Sequence, residues 1–315
     1  MNSLPFSQEF VGELASERTP AMTLFMQCAS LLGEIEGYML ATVLLFALYN
    51  KRLAVQAAII VVLTMTINHI LKIILQNPRP FVAEDSYLQN WAVSAQNAAE
   101  LASEYSTPSG HAMAAAAFYA FLFLKIRNTA FRILCISAII LTGISRPYMG
   151  VHYAEDILIG WPIGGLIGFV GFGYADKLTN WWSGQHWLWQ ATVGVGFSLV
   201  IWGITIFILD RPFSEQPLAF ISYLGFLLGM LLAFPVERQF VNFEPSKKSA
   251  SKSVTRVLVM GSILAGTMIV LEILLALIWN EQTLGGHALR YFRYALVAAS
   301  GVLLAPYLFR KMGIA

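Results

Sequence analysis

Residues 145–156, SRPYMGVHYAED, set an arginine, a histidine and two carboxylates between two apolar runs. His152 and Asp156 are four residues apart, so one helical turn puts them on the same face. A carboxylate held against one imidazole nitrogen fixes the tautomer and leaves the other nitrogen free to attack. His152 is therefore the candidate nucleophile and Asp156 its partner. Two further polar clusters interrupt the apolar pattern: KIILQNPRP at 72–80 and TPSGHA at 107–112. With the first stretch they supply Lys72, Arg79 and Arg146. Guanidinium forks suit phosphate oxygens, and an ammonium adds a point charge. Ser109 and Gly110 precede a helical run, where backbone amides bind anions, and Gly110 lets the backbone come close. The expected ligand is a tetrahedral oxyanion, most simply phosphate. His111, from a separate segment, is placed to protonate a leaving oxygen as general acid and then to activate water as base. The three cations would stabilise charge on the equatorial oxygens. Two histidines and an aspartate also suit zinc, but three nearby cations oppose a divalent ion. Neither a metal nor another cofactor is expected.

The elements that carry these residues must be membrane helices. The chain of 315 residues is 57% apolar and only 12% charged, against about 25% charged in soluble domains. About 20 apolar residues span the hydrocarbon core. Nine such runs can be drawn, near 26–49, 54–76, 110–126, 130–148, 156–174, 187–208, 217–235, 255–279 and 291–309. The fold class is thus all-α and polytopic. Glu34 and Glu36 interrupt the first run, and the third is short with a polar start. With nine spans, loops alternate sides, and all three polar clusters fall on the side of the N-terminus. That side also holds Arg18, Arg211, Arg290 and Arg293. The opposite side collects thirteen of the twenty basic residues, including Lys247 and Lys248, which marks it as cytoplasmic. The net charge of +2, with no basic run interleaved with aromatics, excludes nucleic acid as a partner. Residues 1–21 lack the pattern of a signal peptide, and Phe6, Phe10 and Leu14 recur as on a short interfacial helix. The expected organisation is an interfacial segment at 1–21, a core with all three clusters at 22–175, and further helices of the same membrane domain at 176–315.

The three clusters together resemble a known family. Lys72 to Pro80 has the form lysine, six residues, Arg-Pro. Pro108 to His111 reads Pro-Ser-Gly-His. Ser145, Arg146, His152 and Asp156 read Ser-Arg, five residues, His, three residues, Asp. In this order they are similar to the motifs of the type 2 phosphatidic acid phosphatase superfamily, which includes glucose-6-phosphatase and the vanadium haloperoxidases. The resemblance covers roughly residues 22–175. It implies a core of six helices, a phosphohistidine mechanism and no metal. It also implies that Lys72, Arg79, Ser109, Gly110 and Arg146 hold phosphate, that His111 is acid and base, and that His152 is the nucleophile with Asp156 as its partner.

A site at an outer membrane surface favours a lipid substrate, phosphatidic acid-like or undecaprenyl diphosphate-like, in a bacterial inner membrane with the site facing the periplasm. The alternatives are a phosphatase of a soluble sugar phosphate, a lipid phosphotransferase, and a non-catalytic transporter of anionic lipid. Other residues have plainer readings. His69 is a helix-packing histidine; Glu34 and Glu36 lie at the site mouth or are structural. Glu155 is solvated, Glu237 and Arg238 form an ion pair, and His186 and His287 are loop residues. Glu272 is a carboxylate inside a span. Gly160, Gly164, Gly165 and Gly168 allow close helix packing, within the chain or in a homodimer.

Overall fold

The computed structural model describes residues 4–82, 101, 104–210, 217–245, 249–276 and 283–315. Arg211, Lys247 and Lys248 lie outside the described residues. Among the described residues all regular structure is helical: α1 (Gln8–Ser16), α2 (Pro20–Ser30), α3 (Ile35–Leu44), α4 (Lys51–Leu75), α5 (Gly110–Lys125), α6 (Thr129–Met149), α7 (Ala154–Ser183), α8 (Trp187–Gly203), α9 (Leu218–Val236), α10 (Ala250–Ala276), α11 (Leu284–Ala299) and α12 (Ala305–Lys311). Seven helical segments among them are long and apolar enough to cross a membrane, and the chain is a multi-pass integral membrane protein.

The two doubtful runs are the ones that depart from a single long helix. The first is a pair, Pro20–Gly33 and Ile35–Tyr49, bent by 58°. Glu34 is extended at the break (φ −97°, ψ 166°), so the chain leaves helical geometry where the sequence places a carboxylate. The third, α5, has 16 residues and is about 24 Å long at 1.5 Å per residue, short of the roughly 30 Å hydrocarbon thickness.

The chain divides into two compact units, one of residues 1–38 and 67–173, the other of 39–66 and 174–315. In the first unit α5 is the central element. Its alanines 112 and 114–117 are buried, and their small side chains let neighbouring helices come close. Gly164 of α7 is the clearest case, since a Cβ there would lie 2.0 Å from the Met113 carbonyl oxygen. Gly168 meets the Ala117 carbonyl in the same way at 2.6 Å. These glycines therefore pack within the chain. α6 ends at Gly150, whose φ of +83° is a left-handed C-cap that glycine adopts without strain. Its amide donates to the Arg146 and Pro147 carbonyls, and the chain turns directly into the His152 segment.

The second unit has its own apolar core, built on Phe46, Val55, Met230, Phe234, Phe243 and Phe309. Lys51 and Glu237 form a buried ion pair there, with Nζ–Oε2 at 3.0 Å. This corrects the expected Glu237–Arg238 pair, for Arg238 instead donates to Ser183 Oγ at 3.3 Å. Adjacent residues on a helix point away from each other, whereas Lys51 reaches Glu237 from another helix. His287 is buried in the first turn of α11 and is not a loop residue. Glu272 is exposed on α10.

Candidate active site

Every candidate residue falls in the first unit. His152 stands in the short turn between α6 and α7, and Asp156 is the third residue of α7. The Asp156 carboxylate reaches back to the Tyr153 amide at the helix start (2.9 Å), as a capping side chain does. The same Oδ2 is 3.1 Å from His152 Nδ1. His152 Nε2 lies 3.3 Å from Arg79 Nη1, so the nitrogen not held by Asp156 faces a guanidinium. His152 is 1% exposed. Burial first, then the charges of Arg79, Lys72 and Arg146, hold its imidazole well below the usual histidine range, and the ring is neutral at neutral pH.

Lys72 lies in the last turn of α4, and Arg79 follows beyond residues 76–78, both side chains buried. Arg79 also donates to the Val151 carbonyl (3.0 Å), which ties the first cluster to the loop that carries His152. Arg146, on the last turn of α6, donates through Nη1 to Ser30 Oγ (2.6 Å), and Glu34 lies 3.9 Å away. Its buried Nε has no hydrogen-bond partner among the described residues, leaving a donor for a ligand. Ser109 caps α5 through its side chain (3.5 Å to the Ala112 amide), while its own amide donates to the Asp156 carbonyl (3.2 Å). Gly110 is buried at the helix start. His111 is half-buried on the first turn of α5, within electrostatic range of Arg146, His152, Lys72 and Arg79. Among the described residues no three histidine, cysteine, aspartate or glutamate side chains gather as a metal site.

Several residues that the motifs do not contain complete the arrangement. Ser106 Oγ is 2.5 Å from Asp156 Oδ2 and 3.2 Å from His152 Nδ1. Thr107 donates to Asp156 Oδ1 at 2.5 Å and accepts from Asn77 at 2.8 Å. Glu104 contacts both Lys72 (3.2 Å) and Arg79 (3.4 Å). Residues 4–18 dock on the same loops. The Leu4 amide donates to Asn77 (3.0 Å), the Ser7 amide to Glu155 (3.2 Å), and Arg18 to the Tyr148 carbonyl; Phe6 packs edge-on against Tyr153. Glu155 is thus half-buried and bonded, where a solvated carboxylate was expected. Of the two carboxylates in the first run, Glu34 joins the Arg146 network and Glu36 is exposed. His69 is buried, one turn before Lys72. Ser106 and Thr107 sit beside the Pro-Ser-Gly-His motif, and that adjacency was their only signal in sequence. Glu104 and Ser30 had none, and the N-terminal segment showed only the spacing of an interfacial helix.

Chemically the cluster offers an imidazole with one nitrogen on a carboxylate and the other facing a guanidinium, a second histidine and three buried cations. Residues 53–180 match the PAP2 superfamily, and residues 221–315 match the PAP2 superfamily phosphatase, transmembrane extension. Phosphatidylglycerophosphatase B of Bacillus subtilis (strain 168) is 35% identical over 85 residues, 24% of this chain and 42% of that protein. Undecaprenyl-diphosphatase BcrC of the same organism is 26% identical over 129 residues, 41% of this chain and 61% of that protein. The chain therefore spans less than two thirds of the length of either relative. A crystal structure of a transmembrane PAP2 type phosphatidylglycerolphosphate phosphatase from Bacillus subtilis superposes with a TM-score of 0.44 at 23% identity, over 54% of this chain and 84% of that one. With two successive matches that together take in most of its length, the chain belongs to the PAP2 superfamily.

Proposed function

We propose that this protein is a membrane phosphatase that removes a terminal phosphate from a lipid phosphate or diphosphate through a phosphohistidine on His152. The observation that carries the reading is the orientation of His152: Nδ1 on Asp156 at 3.1 Å and Nε2 on the Arg79 side at 3.3 Å. Nε2 attacks phosphorus, the bond to the leaving oxygen breaks, and His111 gives that oxygen its proton. Water then attacks phosphorus, His111 takes its proton, and the phosphorus–nitrogen bond breaks. Lys72, Arg79 and Arg146 balance charge on the transferring phosphoryl oxygens. Ser109 and Gly110 contribute the start of α5, where a helix dipole favours an anion. No step calls for a metal or other cofactor. The names of the two relatives support a lipid substrate, phosphatidylglycerophosphate-like or undecaprenyl diphosphate-like.

In this reading residues 22–175 are the phosphatase core, 1–21 its interfacial segment and 176–315 the added helices. The basic residues collected at the other loop ends support a site on the non-cytoplasmic face of a bacterial membrane.

The test uses the full chain in detergent with EDTA present. Phosphate release is measured from phosphatidic acid, phosphatidylglycerophosphate, undecaprenyl diphosphate and glucose 6-phosphate. Release from a lipid is expected, and His152→Ala should lower it by at least about 10³-fold, as removal of a nucleophile does. Release from glucose 6-phosphate alone would replace the lipid reading with a sugar-phosphatase one. Equal rates in wild type and His152→Ala would sink the mechanism.

A further inference from the structure

Glu104 touches two of the phosphate-directed cations at once. Its Oε2 is 3.2 Å from Lys72 Nζ and 3.4 Å from Arg79 Nη2. The backbone is held by the same arginine, with Nε donating to the Glu104 carbonyl at 3.2 Å. The other end of that guanidinium, Nη1, faces His152 Nε2 at 3.3 Å. A phosphoryl group in reach of Nε2 would need the donors that the Glu104 carboxylate holds. Lys72 and Arg79 carry two positive charges and Glu104 one negative. A terminal phosphate brings about two negative charges at neutral pH. Such a phosphate and the Glu104 carboxylate would compete for the same Lys72 and Arg79 donors.

Resting on the phosphatase reading above, we infer that Glu104 is an internal competitor for the phosphate site, displaced when substrate binds and returning when orthophosphate leaves. The side chain has somewhere to go: it is 37% exposed, against 10% for Lys72 and 2% for Arg79. It stands outside the helices, just before the bonded residues Ser106 and Thr107. The Lys72 ammonium, aided by Arg79 and His69, holds the Glu104 carboxyl down to about 2 against the opposing effect of burial. It therefore stays ionised throughout the physiological range, and ligand, not protonation, decides the exchange. A carboxylate that returns to the cations lowers affinity for the product, which bears on turnover because orthophosphate shares its contacts with substrate.

The experiment measures orthophosphate binding to the full-length protein in detergent by calorimetry, with orthophosphate inhibition of lipid hydrolysis in parallel. Glu104→Gln keeps the shape and removes the competing charge. It should bind orthophosphate about tenfold more tightly, equivalent to about 1.4 kcal/mol, with a matching fall in Ki and in KM. Glu104→Asp, too short to hold both cations equally well, should move in the same direction by less, and it carries the test if Glu104→Gln does not fold. Unchanged or weaker orthophosphate binding in both folded variants overturns the inference. Wild-type hydrolysis of lipid without tightening in either variant overturns the exchange alone. Orthophosphate binding without hydrolysis of any lipid overturns the phosphatase reading instead, and the calorimetric comparison then still decides whether Glu104 competes.

Discussion

The two units both bury charge, and they treat it differently. In the second unit Lys51 faces Glu237 at 3.0 Å, with Asn242 at 3.4 Å also accepting from the ammonium and the Phe243 amide donating to the carboxylate at 2.8 Å. The charges are matched locally, and the pair joins distant parts of one chain. In the first unit Lys72 and Arg79 share one carboxylate, Glu104, Arg79 also faces His152, and a buried nitrogen of Arg146 has no hydrogen-bond partner among the described residues. Buried charge costs several kcal/mol unless paired. One-to-one pairing is what a folding contact requires, whereas two buried cations on one carboxylate keep a positive excess that an anion from outside would balance.

Three measurements would break or sharpen that contrast. The largest effect is expected at the folding pair. Lys51→Met leaves Glu237 buried without its ammonium and should lower unfolding free energy by about 3 kcal/mol, read from thermal unfolding in detergent. The kcat of the folded fraction should not change, and adding Glu237→Leu should restore most of the loss. A kcat that falls with stability intact would end the distinction between the units.

Ser106→Ala tests the opposite side. It removes the hydroxyl held between Asp156 and His152, so kcat should fall about tenfold with KM unchanged, while stability drops by only about 1 kcal/mol. A KM change with kcat intact would place Ser106 in binding and not in positioning the histidine.

The last measurement concerns pH. His152 titrates lower in the folded protein than in the unfolded chain, so the unfolded state binds the extra proton first as pH falls. The stability from a neutral His152 is then full above the unfolded histidine pKa of about 6.5 and is lost as pH drops below it, by at most about 1.4 kcal/mol per pH unit. Unfolding temperature followed from pH 8 to 5 should fall less steeply in His152→Gln than in wild type. Parallel curves would mean that His152 is not held neutral by its surroundings.

Much of the site was legible because its chemistry is local in sequence. His152 and Asp156 are four residues apart, and though His152 stands in the turn before α7 and not on a helical turn, the short spacing still lets them meet; Pro-Ser-Gly-His stands at a helix start. The class of fold was legible for a similar reason, since hydrocarbon thickness sets the length of an apolar run. The single helix drawn over residues 26–49 was less secure. An apolar run reports burial, but the break at Glu34 depends on what the carboxylate meets, and its partners Ser30 and Arg146 belong to different helices.

By itself the sequence determined an all-helical membrane protein, the residue types of a candidate phosphate site and a His–Asp pair near enough along the chain to meet. Only the tertiary structure decided which carboxylates face those cations. Glu104 reaches Lys72 across 32 positions and Glu34 reaches Arg146 from the break before α3, while Glu36, two residues from Glu34, is exposed. The docking of residues 4–18 on Asn77, Tyr148 and Glu155 belongs to the same class. The physical reason is that a charge or a polar backbone group is satisfied by whatever lies within about 3 Å, and for residues tens of positions apart that neighbour is set by how the helices pack.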